Sequence, residues 1–208
     1  MRNYLFALAA LGLSTCGPTL HTDLSVHNAK TTTTTVYVAF GSDSVVGVAD
    51  WTFCTGSGLN CNFTVAATSS KPLPNPEGLY LNATFSFDHA VGCGVTKAEV
   101  NINNPKWYDI LDVSLVDGYS DKVEISVTPT KAPTVTLGPP KGDTGNEKVY
   151  GLFPFGCDIC VERQAPPCGI AKGNAGCKTG TQYDPDVPCQ WQGPHKGGGG
   201  DATIMLMP

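Results

Sequence analysis

Three carboxylates near the middle of this 208-residue chain are spaced to do acid–base chemistry. Glu99 lies 13 residues before Asp112, and Asp112 five before Asp117. Two carboxyls ~5–9 Å apart are the equipment of glycoside cleavage: one protonates the leaving oxygen, the other is nucleophile or base. Glu99 is cast as the acid, its pKa raised by its carboxylate neighbours, with Asp112 or Asp117 in the second role. Trp107, Tyr108 and Tyr119 lie close by in sequence, and flat aromatic faces pack well against the C–H faces of sugars. A plainer reading stands beside this one. The carboxylates would sit in turns and on a solvated sheet face, since Asp117-Gly118 is a common turn pair. Alternation would also send one of Trp107 and Tyr108 into the core.

The elements that must position these groups are strands. Leu79, Leu81, Ala83, Phe85 and Phe87 alternate with Tyr80, Asn82, Thr84 and Ser86, a period of two that sets an apolar face against a core. Lys97 to Asn103 repeats the pattern, with Ala98, Val100 and Ile102 inward and Glu99, Asn101 and Asn103 outward. Further strands are expected over 110–116, 122–128 and 201–207, and from Thr32 through Phe40. Another extended stretch is expected over 45–51. Residues 17–35 read as a polar tether or the frayed start of a strand. Pro72, Pro74 and Pro76 mark an extended connection that a central strand would not hold. Strict alternation would turn Asp112 and Asp117 to opposite sides unless the chain bends at Gly118. With 24 Gly and 16 Pro and no sustained 3.6-residue period, the chain reads as all-β.

The N-terminus has the form of an export signal: Arg2 precedes an apolar run, Tyr4 to Leu13, too short to span a bilayer. Leu13-Ser-Thr-Cys16 has the outline of a lipobox, so Cys16 is either a lipidation site or removed with a plain signal. Eight further cysteines follow, Cys54, Cys61, Cys93, Cys157, Cys160, Cys168, Cys177 and Cys189. An even set in an exported chain implies disulfides, with the pairing left open. Cys157-Asp-Ile-Cys160 has zinc-like spacing, but export favours bridges, and no metal or other cofactor is expected. The net charge of −5 argues against a nucleic-acid partner, which requires a basic patch. Two sequons, Asn62-Phe-Thr and Asn82-Ala-Thr, also occur.

The segment Tyr108-Asp-Ile-Leu-Asp-Val-Ser-Leu-Val-Asp-Gly-Tyr119 resembles the signature of thaumatin-like proteins. Ala98 to Asn103 takes the place of the strand preceding that signature, and Thr203 to Pro208 is similar to the family's closing strand. The match is specific over about residues 97–128. The resemblance implies a thaumatin-like antiparallel β-sandwich with a disulfide-rich loop lobe and an acidic cleft built from one Arg, one Glu and three Asp. Glu99, Asp112 and Asp117 match the Glu and two of the Asp. Trp51 stands where the Arg is expected, Trp191 where the last Asp is expected, and Met207 where a Cys is usual.

The expected organisation is a signal over 1–16, a β-sandwich core over 17–140, a Cys-rich lobe over 141–200 and a returning strand over 201–208. The expected function is an exported or cell-surface protein, monomeric, that binds polysaccharide, β-1,3-glucan foremost, through the cleft. A membrane would be met only through a lipid on Cys16. A weak endo-β-1,3-glucanase and a non-catalytic surface module are the alternatives.

Overall fold

The computed structural model describes residues 20–76, 78–92, 95–114, 120–130, 133–138, 190–196 and 198–208. Their strands are β1 (Thr22–Asn28), β2 (Thr34–Phe40), β3 (Thr55–Ser57), β4 (Asn60–Val65), β5 (Ser69–Leu73) and β6 (Leu81–Phe87). They continue as β7 (Lys97–Ile102), β8 (Tyr108–Ser114), β9 (Val123–Pro129), β10 (Val135–Leu137), β11 (Gln190–Lys196) and β12 (Gly200–Leu206). Two sheets form, ordered β10-β9-β12-β1-β5 and β11-β8-β7-β6-β2-β4-β3. The fold is the expected all-β sandwich. All strand pairs are antiparallel except β1 with β12, which run parallel in the middle of the smaller sheet.

One core joins the inner faces. Val36, Val38, Phe85, Val100, Leu111 and Val113 meet Val26, Ile125, Val127, Ile204 and Leu206. Burying each such side chain contributes roughly 1.5–3 kcal/mol. At one end the core is aromatic. Trp51 is fully buried, with its ring centroid 5.0 Å from Phe40 and 5.8 Å from Phe53. Its indole N–H donates to the Pro74 carbonyl at 2.7 Å, which satisfies its one polar atom. Pro72 lies on β5, an edge strand, where the missing N–H costs no ladder bond.

Three expectations need correction. Residues 22–28 are neither tether nor frayed end but β1, between β12 and β5. Its termini are buried polar residues, Thr22 and Asn28, and this disguises the apolar Leu24 and Val26 between them. The stretch 45–51 is not a strand; it contains a short 3-10 turn over Val48–Asp50, closed by the Asp50 carboxylate accepting from Gly47 N–H at 2.8 Å. Trp107 and Tyr108 both escape the core, because Trp107 belongs to the turn that precedes β8 and alternation does not apply to it. The inward place at the start of β8 belongs to Asp109.

Asp109 is the centre of a buried polar junction between the sheets. It accepts from the Thr22 hydroxyl and, at 2.8 Å, from the Asn103 N–H. Asn103 in turn accepts from Thr22 N–H at 2.7 Å and donates to the Thr22 carbonyl at 3.0 Å. Gly199 N–H donates to the Thr22 hydroxyl at 2.8 Å. Asn103 holds a left-handed backbone, φ 61°, which its short amide tolerates. Removing the shared hydroxyl strands a buried carboxylate and a buried N–H. Thr22→Val is therefore expected to cost about 1–3 kcal/mol in urea unfolding of the oxidised protein. Thr64→Val, at an exposed position of β4, is expected to stay within about 0.5 kcal/mol.

Candidate functional site

The larger sheet turns its second face away from the core, and there the alternating residues are polar. Strand register places Glu99 opposite Asp112 on β8 and opposite Thr84 on β6. Thr84 faces Ala39 on β2, and Ala39 faces Asn60 on β4. A row, Asn60–Ala39–Thr84–Glu99–Asp112, thus crosses five strands, about 19 Å at the usual spacing between strands. The two carboxylates from the sequence reading come together as cross-strand partners. Asp117 and Tyr119 lie outside the described residues.

Asp112 is buried although it is on the outer face, with 8% of its surface exposed. Burial, then repulsion by Glu99, then a hydrogen bond shared with Glu99 push its carboxyl well above the usual carboxylate range. Asp112 thus holds its proton more readily than an ordinary carboxyl. Asp112 is the deeper of the two carboxyls, which is why burial is the leading cause of its raised value. Asp112 Oδ1 has no hydrogen-bond partner among the described residues. Neither has the buried Asn101 Oδ1. Asn101 is two residues along β7 from Glu99 and shares its face, opposite Ile110. Two acceptors without donors therefore flank Glu99.

Asn101 is fixed from its other end. Its amide donates to the Tyr80 hydroxyl at 2.8 Å, and that hydroxyl donates to Asp43 at 3.2 Å. Asp43 also accepts from the Asn82 amide at 2.8 Å. That bond, ahead of the others, keeps the Asp43 carboxyl below its ordinary value. The Asn82 sequon amide is thus already engaged. Sequence reasoning missed Tyr80, Asp43 and Asn101 as site residues. The available signal was the parity of Asn101 with Glu99 on β7; Tyr80 precedes β6 and Asp43 is in a turn, where strand parity gives no guide.

The aromatic candidates stand apart from the carboxylates. Trp107 is 54% exposed and packs edge-on against Tyr108, with centroids 6.1 Å apart. Tyr108 is on the same face of β8 as Asp112 but four residues away, about 13 Å along the strand. The two positions where the resemblance lacked a cleft residue are both on the inner side: Trp51 fills the core and Trp191, opposite Leu111, packs against it. Of the candidate disulfide cysteines, Cys54 and Cys61 are joined, as suits an oxidising, extracytoplasmic compartment. Cys93, Cys157, Cys160, Cys168, Cys177 and Cys189, with Cys16, lie outside the described residues. The described residues contain no cluster of three metal-ligating side chains.

Because the native pKa of Asp112 is raised, the folded state keeps a proton that the unfolded chain has lost. Stability attributable to Asp112 is full below its ordinary value of 3.8 and falls as pH rises from there through the native pKa. Asp109 is shifted the same way, chiefly by burial. Asp112→Asn is expected to be more stable than the parent at pH 7, by about 1–3 kcal/mol, and to flatten the decline without abolishing it. Urea midpoints across pH 4–8 measure both effects. An unchanged slope would show that Asp112 titrates as an ordinary surface carboxylate.

No family model matches the sequence, and no curated protein matches it. Among solved structures the chain is similar to a thaumatin-like xylanase inhibitor, with TM-score 0.43, 11% identity, and coverage of 89% of this chain and 99% of that one. It is also similar to a protein elicitor from Magnaporthe oryzae, with TM-score 0.35, 12% identity, and coverage of 90% and 99%. At these scores neither likeness assigns a site or a ligand. The first of these structures bears the same family name that residues 97–128 suggested.

Proposed function

We propose that this chain is an exported polysaccharide-binding protein that holds β-1,3-glucan on the outer face of its larger sheet, around Glu99 and Asp112. The observation that carries the reading is the in-register pairing of Glu99 with Asp112 on the polar outer face of the larger sheet. The Glu99 carboxyl, on the solvated side of this pair, offers oxygens to which sugar hydroxyls can donate. Ala39 and Thr84 keep the row low, so an extended chain can lie across the strands. The choice of β-1,3-glucan comes from the resemblance over residues 97–128, and export from the signal-like N-terminus and the even set of cysteines.

Binding is favoured over cleavage for a geometric reason. Trp51 and Trp191, at the two positions that would complete the cleft, face the core.

The test is co-sedimentation of mature, oxidised protein with insoluble β-1,3-glucan, cellulose and chitin. The parent is expected to pellet with the glucan alone, and Glu99→Gln/Asp112→Asn to lose at least tenfold in affinity. Failure to pellet with any polymer, or equal pelleting of the variant, would overturn the proposal and favour a surface module with no sugar site.

A further inference from the structure

A second concavity lies on the same outer face, toward the opposite edge of the sheet. It is an open pocket of about 380 Å³ lined by Tyr37, Thr55, Ser57, Asn60 and Asn62, with Ala90 and Val91 from the β6–β7 connection on one side. Register explains why these five polar side chains converge. Tyr37 is opposite Asn62, and Asn62 is opposite Thr55. One step along, Asn60 is opposite Ser57. All have outward parity, while Val38, Cys61 and Phe63 between them face the core.

The wall formed by β3 is held tightly. Cys54 is bonded to Cys61, and at Gly56 an added Cβ would stand 2.2 Å from the Asn60 carbonyl oxygen and 2.5 Å from Cys61 Cα. Any side chain at position 56 would push β3 off β4. The three-residue edge strand is thus kept in close register, although all its residues are exposed.

The hydrogen-bonding state of the lining is the decisive observation. Elsewhere on this face Asn82, Asn101 and Ser86 are bonded to other parts of the chain. The side chains of Tyr37, Thr55, Ser57, Asn60 and Asn62 make no hydrogen bond to another described residue. Two amides, two aliphatic hydroxyls and a phenol are therefore open to a ligand, beside one aromatic ring and two small apolar side chains. No charged group is in the lining, so nothing compensates an ionic ligand. Polar groups fix orientation and the apolar surface supplies contact area, as small-molecule sites require.

We infer that this pocket is a binding site for an uncharged saccharide unit, distinct from the Glu99–Asp112 pair. The row through Asn60, Ala39 and Thr84 joins the two places, about 14 Å apart across three strand spacings. The identity of the ligand as part of a glucan rests on the proposed function; the position and neutrality of the pocket do not.

Amide NMR shifts of the oxidised full chain, titrated with a β-1,3-linked glucose trimer, test the inference. A galacturonate trimer is the anionic control. Shifts are expected at residues 37, 55–62 and 90–91 with the glucose trimer only. They should weaken at least tenfold in Kd in Tyr37→Ala and in the exposed pair Thr55→Ala/Ser57→Ala, the second guarding against a folding defect in the first. Glu99→Gln/Asp112→Asn should leave these shifts in place. Shifts confined to β7 and β8 would overturn the pocket and leave the proposed function standing. Shifts confined to the pocket, in the parent too, would support the inference and remove the carboxylate site. Shifts that persist in both pocket variants, equal binding of the anionic trimer, or no shift at all would overturn the inference.

Discussion

The Asp109 carboxylate sets the register of the strand that carries the acidic pair. It is buried and accepts from Thr22 on β1 and from the Asn103 backbone just after β7. A slip of β8 by one residue would turn Asp109 outward and leave the Thr22 hydroxyl and Asn103 N–H without their acceptor. The same slip would turn Asp112 into the core and Leu111 and Val113 out of it. The polar junction and the apolar pattern thus demand the same register. With it fixed, Asp112 can only stand beside Glu99. The junction also includes β1, so the smaller sheet positions the outer face of the larger one.

This arrangement concentrates the tension of the molecule on one face. A buried carboxyl held against another carboxylate costs stability when both are charged. Nothing among the described residues relieves it by ion pairing. The charged groups that do pair, such as Lys30 with Asp121 at 2.7 Å, lie elsewhere and serve to fasten connections. The pocket beside β3 is of the opposite type: it is uncharged and unstrained, with its polar atoms simply unused.

Much of the fold was legible because β6, β7, β9 and β12 are amphipathic with a period of two, and nothing competes with that signal. Glu99 could be assigned to an outer face for the same reason. β1 was not legible because Thr22 and Asn28 are polar yet buried. Asn28 donates to the carbonyls of Thr32, Val65 and Ala66, partners that no local pattern announces. β3 was hidden by its composition, since Thr55-Gly56-Ser57 reads as loop until its pairing with β4 is known. The pairing of Glu99 with Asp112 was half legible: parity followed from each strand, but the strand offset came from tertiary packing. The depth of Asp112, which raises its carboxyl above the usual range, is a property of packing alone.

The parallel partnership of β1 with β12 has a consequence in time. These strands are the first and last of the described residues, and Ser25 and Thr203 share a 2.9 Å hydroxyl contact across 178 positions. β12 also separates β1–β5 from β9–β10, so the smaller sheet exists only as two fragments until its final strand arrives. A chain emerging from the ribosome cannot close this sheet until β12 is free. Contacts this distant in sequence slow the completion of the fold. Truncation at the C-terminus by even one strand would remove the middle of a sheet, not its edge.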